Sequence, residues 1–162
     1  MEGVKALREF EVFAGTEKVA SASTTWLYID VDKKRVRKIP EDMPEIYTIE
    51  PEAALEEPVE KWKGDPDFVA DFEMEITIRV SDYDVNGHVN NSMYIDYLTT
   101  ALFEFYGKSK KINMLKIRYL QEIDMAIRST KVGIKTANGK ILYKIFNADV
   151  VYAFGETCID KV

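Results

Sequence analysis

The sequence has few of the side chains that most often bind transition metals. Its 162 residues include one histidine, His88, and one cysteine, Cys158. One imidazole and one thiol argue against a zinc site, although a Mg²⁺ or Ca²⁺ site made of carboxylates stays open. A single cysteine cannot form a disulfide within the chain, which indicates a reducing, cytoplasmic setting. We expect Cys158 to be a buried thiol of the last strand rather than a nucleophile.

Long hydrophobic runs and an excess of positive charge are also missing. No apolar stretch approaches the length of a membrane-spanning helix, about 20 residues, and residues 1–12 lack the apolar core of a signal peptide. The net charge of −6 argues against a nucleic-acid-binding protein, whose surface would be basic. Neither a Gly-x-Ser-x-Gly elbow nor a dinucleotide-binding glycine fingerprint occurs. The sequence therefore predicts no cofactor, no nucleic-acid partner and no membrane segment.

The prolines are confined to one stretch of the chain. All five lie between positions 40 and 66, where charges are dense and the apolar residues follow no sustained period. This composition predicts a linker over residues 41–70. One helical turn is expected within it, near residues 51–55.

The segment before this linker has the pattern of a hairpin. Residues 7–13 and 18–30 alternate apolar and polar side chains around a turn at 14–17. The last two predicted strands of the chain, 141–146 and 150–159, repeat this arrangement, and both copies finish in Ile-Asp. The chain therefore resembles one complete unit preceded by the tail of another.

The second half of the chain has the pattern of a strand, a helix and then a run of strands. Residues 72–80 alternate as a half-buried strand does, and apolar residues recur at helical spacing over 93–105. Asn90 or Asn91 can cap this helix at its start, and Gly107 can end it. Further strands are predicted at 115–119, 127–136, 141–146 and 150–159, with a tight turn at Asn138-Gly139. This order predicts an α+β fold, with an antiparallel sheet on one long helix.

The loop between that strand and that helix contains the only histidine. Asp84, Asn86 and His88 are spaced so that their side chains share one face of an extended segment. A neutral imidazole can move a proton near pH 7, and an amide can stabilise a developing oxyanion. The start of the helix near Asn91 adds partial positive charge. The loop is therefore a candidate active site, and the alternative is a polar turn with a helix cap and a solvated histidine.

Residues 80–94 resemble a segment of the acyl-acyl carrier protein thioesterases. In the second hot-dog domain of that family, a strand-to-helix junction carries the pattern D-x-N-x-H-V-N-N-x-x-Y, which here runs from Asp84 to Tyr94. Residues 22–35 and 37–40 resemble the end of the first hot-dog domain of the family. The resemblance covers nearly the whole chain.

The resemblance implies a hot-dog fold, in which an antiparallel sheet wraps one long central helix, preceded by a partial second hot-dog. On this basis residues 1–40 are expected to be the last strands of a first domain, 41–70 a linker, and 71–162 a complete hot-dog domain. The first strands and the long helix of the first domain are missing from this sequence. Its orphan strands would expose an apolar face, so we expect a homodimer, unless the chain is a fragment.

The resemblance also implies the residues of the site. The implied catalytic residues are Asp84, Asn86, His88 and Glu122, and the implied substrate-binding residues are Asn90, Asn91 and Tyr94. Where the family has a Glu-Cys pair, this sequence has Glu122-Ile123. Because isoleucine cannot attack a thioester, we expect a water activated by Glu122 or His88. Asn86 would bind or polarise the carbonyl, and Asp84 would orient its neighbours.

The expected function is hydrolysis of a fatty acyl thioester to a free fatty acid and a thiol, within fatty acid biosynthesis. The carrier is expected to be acyl carrier protein or coenzyme A. An acidic carrier protein would favour basic contacts, for which Lys108, Lys110 and Lys111 are candidates. Two other functions stay open: a shell that binds an acyl chain or carrier without chemistry, and a hydratase acting on an enoyl thioester.

Overall fold

The structure of this chain is a computed structural model. It divides into two units, Met1–Trp62 and Lys63–Val162. The structure describes residues 3–30, 32–33, 35–47, 49–56 and 63–160. Some positions lie outside the described residues: 1–2, 31, 34 and 161–162 of the two predicted domains, and 48 and 57–62 of the predicted linker. The predicted boundaries at residues 40 and 70 stay predictions.

The first unit is built on the predicted hairpin. Strands β1 (Lys5–Ala14) and β2 (Glu17–Leu27) pair antiparallel, with one shift of register between Val12 and Phe13. The second strand is shorter than predicted, because a separate two-residue ladder follows it. That ladder joins β3 (Ile29–Asp30) to β4 (Arg35–Val36).

The helical turn predicted near residues 51–55 is wrong. The short helix of this unit is α1 (Met43–Ile46), which has Pro44 in its first turn. Proline is favoured at this position because its fixed φ suits a helix start and its missing N–H would have no partner there. Pro51 offers the same local signal, so sequence alone could not choose between the two prolines.

The second unit is a five-stranded antiparallel sheet with one long helix packed on it. Its elements in chain order are β5 (Phe72–Thr77), α2 (Asn91–Tyr106), β6 (Ile112–Tyr119), β7 (Ser129–Ala137), β8 (Lys140–Asn147) and β9 (Val150–Ile159). The strand order across the sheet is β5-β7-β8-β9-β6. The predicted α+β hot-dog fold is thus confirmed.

Helix α2 begins and ends where its capping residues predict. The Asn90 side-chain oxygen accepts a hydrogen bond from the Ser92 backbone N–H, and Gly107 closes the helix in the left-handed conformation at φ 65°. The residues that it buries against the sheet are Tyr94, Tyr97, Leu98, Ala101 and Leu102. Each large apolar side chain buried there contributes about 1.5–3 kcal/mol. Within the described part of the chain, no helix combines the length and apolar character that crossing a membrane requires.

Three predicted features of this unit need correction. The strand predicted to reach residue 80 ends at Thr77, because Val80–Asp82 forms one turn of 3₁₀ helix. The strand predicted from residue 127 starts at Ser129, because the Ile127 N–H bonds back to the Asp124 carbonyl in a turn. The Cys158 thiol is half-buried rather than buried.

Candidate active site

The loop before α2 is a tight turn organised by one carboxylate. Asp84 Oδ1 accepts hydrogen bonds from the backbone N–H groups of Asn86, at 2.8 Å, and His88, at 3.3 Å. The Asp84 N–H donates in turn to the His88 carbonyl at 2.8 Å. Gly87 turns the chain between them with a φ of 77°, a value that glycine adopts without strain. The structure therefore brings the three predicted residues of this loop together.

The Asp84 carboxyl is held in its ionised form. The backbone hydrogen bond from Asn86 is the main cause that lowers its pKa, and it outweighs partial desolvation. Asn86 Nδ2 also lies 3.3 Å from Asp84 Oδ2. Because a primary amide carries two N–H donors, Asn86 can hold Asp84 with one and offer the other to a ligand oxygen.

The imidazole of His88 meets a carboxylate from a distant part of the sequence. His88 Nε2 lies 3.2 Å from Glu122 Oε2, with the two side chains 34% and 69% exposed. Backbone pairing creates this contact, since His88 bridges to Asp124 and the Val89 N–H donates to the Ile123 carbonyl at 2.9 Å. Solvent water can thus reach both members of the pair.

A buried aspartate at the base of the loop was missed by the sequence analysis. Asp82 is 1% exposed, and its Oδ2 accepts a hydrogen bond from the Tyr97 hydroxyl at 2.8 Å. Burial alone would raise the pKa of Asp82, but hydrogen bonds from Arg79 and Tyr97 lower it. A tyrosine in the apolar stripe of α2 was the available signal, because a buried hydroxyl needs a partner.

The three predicted substrate-binding residues all have contacts within the protein. Asn90 Oδ1 accepts from the Ser92 N–H and hydroxyl, and the Asn91 carbonyl accepts from the Tyr119 hydroxyl at 3.0 Å. Tyr94 is 2% exposed, and burial raises its pKa to about 12 although the Ile123 backbone hydrogen-bonds to it. Tyr94 therefore supports the segment that carries Glu122, and a substrate contact by these residues stays a prediction.

The position next to Glu122 offers no nucleophile. Ile123 is fully buried and belongs to the hydrophobic core of the unit. Across the residues that the structure describes, no cluster of three or more histidine, cysteine or acidic side chains is arranged to hold a metal ion. What the site does present is a solvent-accessible imidazole–carboxylate pair, whose histidine belongs to the same loop as the Asn86 amide donor. Such a set can activate water and stabilise the oxygen of an attacked carbonyl.

The sequence is similar to one family of enzymes. The family model described as the acyl-ACP thioesterase C-terminal domain matches residues 67–156. The chloroplastic palmitoyl-acyl carrier protein thioesterase of Arabidopsis thaliana is 30% identical over 110 residues, which are 65% of this chain and 27% of that protein.

Solved structures share the fold. The 12:0-ACP thioesterase from Umbellularia californica superposes with a TM-score of 0.82 at 18% identity, covering 99% of this chain and 64% of that one. An acyl-ACP thioesterase from Bacteroides thetaiotaomicron superposes with a TM-score of 0.75 at 19% identity, covering 99% of this chain and 65% of that one. The chain thus spans less than two thirds of the length of these relatives.

Proposed function

This chain belongs to the acyl-ACP thioesterase family, and we propose that it hydrolyses a fatty acyl thioester of acyl carrier protein to a free fatty acid and the carrier thiol. One observation carries the proposal: His88 Nε2 lies 3.2 Å from Glu122 Oε2 in a pair open to water. The Asn86 amide belongs to the same loop, two positions from the imidazole. These groups match what attack of water on a carbonyl requires.

Glu122 is the better candidate for the base. With Glu122 Oε2 against His88 Nε2, the second carboxylate oxygen can take the proton of a water as its oxygen attacks the thioester carbonyl carbon. The oxyanion that forms would accept a hydrogen bond from Asn86 Nδ2. When the C–S bond then breaks, the protonated base returns its proton to the leaving thiolate. His88 would orient Glu122 throughout, and the two roles could also be exchanged within the pair.

The direct test is thiol release from a palmitoyl-carrier protein by the wild-type chain and by His88→Ala. We expect measurable release by the wild type and a loss of roughly a hundredfold or more in the variant, as removal of a proton-transfer group predicts. Circular dichroism would show that the variant is folded. Saturable binding of the acylated carrier without any release by the wild type would contradict hydrolysis and favour a binding module.

Acyl carrier protein, rather than coenzyme A, is the carrier that we propose. The family model supports this choice, and the exposed basic residues Lys108 and Lys111 would suit an acidic partner. Both lysines follow the carboxyl end of α2, however, whereas the His88 loop precedes its amino end. The 16 residues of the helix span about 24 Å. A carrier docked there would have to reach along the whole helix. We further propose that the reaction takes place in the cytoplasm and serves fatty acid biosynthesis.

A homodimer is the assembly that we propose. Both faces of the β1–β2 hairpin expose large apolar side chains, and a two-stranded hairpin is marginally stable by itself. These side chains include Leu7, Phe10, Val12, Phe13 and Trp26. A second copy of the chain could cover them. We expect sedimentation equilibrium to show a dimer that Val12→Lys weakens, whereas a monomer at every concentration would contradict the proposal.

A further inference from the structure

The buried carboxylate of Asp82 connects three parts of the site. Its two oxygens accept hydrogen bonds from the Arg79 backbone N–H and the Arg79 Nε, both at 2.9 Å. The Tyr97 hydroxyl of α2 donates to it at 2.8 Å. The Asp82 carbonyl accepts the N–H of Asn90, which caps the same helix, at 2.8 Å. One residue thus holds the end of the β5 segment, the helix cap and the second turn of α2.

These contacts lie at the base of the loop that carries His88. Tyr83 and Val89 bridge to each other directly above the Asp82–Asn90 hydrogen bond, so the loop leaves and returns through one short ladder. The imidazole meets Glu122 through the His88–Asp124 bridge and the Val89–Ile123 hydrogen bond, which lie at the top of this ladder. The Asp82–Tyr97 hydrogen bond ties the base of the same ladder to α2.

We propose that Asp82 is a positioning residue of the hydrolase, which holds the His88 loop on α2 so that the imidazole meets Glu122. This proposal rests on the proposed function, since it takes the His88–Glu122 pair as the reaction centre. Asp82 does not act on the substrate, because its side chain is 1% exposed.

The energetics of buried charge favour this role over a purely stabilising one. An ionised group paired inside a protein often stabilises the fold no more than apolar residues of the same volume would. A buried carboxylate instead adds geometric specificity, since its hydrogen bonds fix the orientation of their donors. A shift of about 1 Å in a catalytic group can cost on the order of a hundredfold in rate.

The chain offers a matched control. Glu156 in β9 is also a buried carboxylate, 7% exposed, and it pairs with Lys140 Nζ at 3.0 Å and Lys116 Nζ at 3.2 Å. Glu156→Gln therefore removes a buried, paired charge from the sheet without touching the loop. Asp82→Asn does the same at the base of the loop. Tyr97→Phe is a milder variant, which removes only the hydroxyl link to α2.

The experiment compares the His88 NMR signal and the steady-state kinetics of these three variants with those of the wild type. His88 is the only histidine, so its ring gives one Hε1 resonance that reports on Glu122 and Asp84, the charged groups beside it. We expect Asp82→Asn to move this resonance and to lower kcat roughly 10- to 100-fold with KM nearly unchanged. Tyr97→Phe should change both in the same direction by less. Glu156→Gln should change neither.

Two results would overturn the proposal. One is a folded Asp82→Asn or Tyr97→Phe chain whose His88 resonance and kcat equal those of the wild type. The other is an equal change in Glu156→Gln, which would show that any buried charge lost from the unit disturbs the site. If the wild type released no thiol, the proposed hydrolysis would fail. The His88 resonance would still decide whether Asp82 positions the imidazole.

Discussion

Gly155→Ala is expected to lower the free energy of unfolding by about 3 kcal/mol or more, from forced overpacking together with a lost buried hydrogen bond. A Cβ at this position would run into the Lys116 carbonyl and into the ring and hydroxyl of Tyr143. Tyr143 is 1% exposed, and its hydroxyl donates to that same carbonyl at 2.9 Å. The tyrosine crosses over the glycine to reach the neighbouring strand, so its ring cannot move aside without losing this bond.

Gly133→Ala is the matched control for this prediction. Gly133 also lies within a strand of the same sheet, and its Cβ would meet only side-chain atoms, those of Phe68, Ala70 and Phe146, at 3.3 Å. Side chains can yield by a few tenths of an ångström, so we expect a change within about 1 kcal/mol. Urea unfolding followed by circular dichroism measures both variants.

A double variant isolates the contribution of the hydroxyl at Gly155. Adding Tyr143→Phe to Gly155→Ala removes the hydroxyl but leaves the ring carbon Cζ and the Lys116 carbonyl in the way of the new Cβ. The stability should therefore stay low in the double variant. If Gly155→Ala alone unfolded at the same urea concentration as the wild type, strands β6 and β9 could separate at little cost. That result would contradict the packing described above.

The parts of this fold that were predictable are those fixed by neighbouring residues. Helix α2 followed from its apolar stripe, its asparagine cap and Gly107. The β7–β8 turn followed from Asn138-Gly139, which adopt φ values of 52° and 76° as a tight hairpin turn requires. In both cases the residues that decide the structure lie within a few positions of one another.

The parts that were not predictable depend on long-range contacts. Nothing local in the sequence distinguishes Asp82 from its polar neighbours Ser81 and Asp84. Asp82 alone of the three is buried, because Tyr97 and Arg79 supply its hydrogen bonds. The same holds for Gly155, whose necessity comes from a tyrosine in another strand. The pairing of Glu122 with the His88 loop was predicted from the family resemblance, since nothing in the sequence near Glu122 or near His88 indicates it. Sequence patterns report periodicity, whereas these features require the register of the sheet.

Glu122→Gln is expected to lower kcat/KM by about 10²- to 10⁴-fold, since an amide cannot take a proton from water. The substitution keeps the size and the hydrogen-bonding shape of the side chain, so folding should be unaffected at this exposed position. Glu104→Gln, the same change on the exposed face of α2, should leave the rate unchanged. Initial rates of thiol release from a palmitoyl-carrier protein measure each variant.

The double variant His88→Ala/Glu122→Gln tests whether the pair works as one unit. Because His88 Nε2 and Glu122 Oε2 are in contact, removing either should disable the same step. The double variant should therefore lose no more activity than the worse of the two single variants, as groups that act together show strongly non-additive losses. If the two losses multiplied instead, His88 and Glu122 would serve separate steps. A larger loss from Glu122→Gln than from His88→Ala would assign the base to the carboxylate, and the reverse order would assign it to the imidazole.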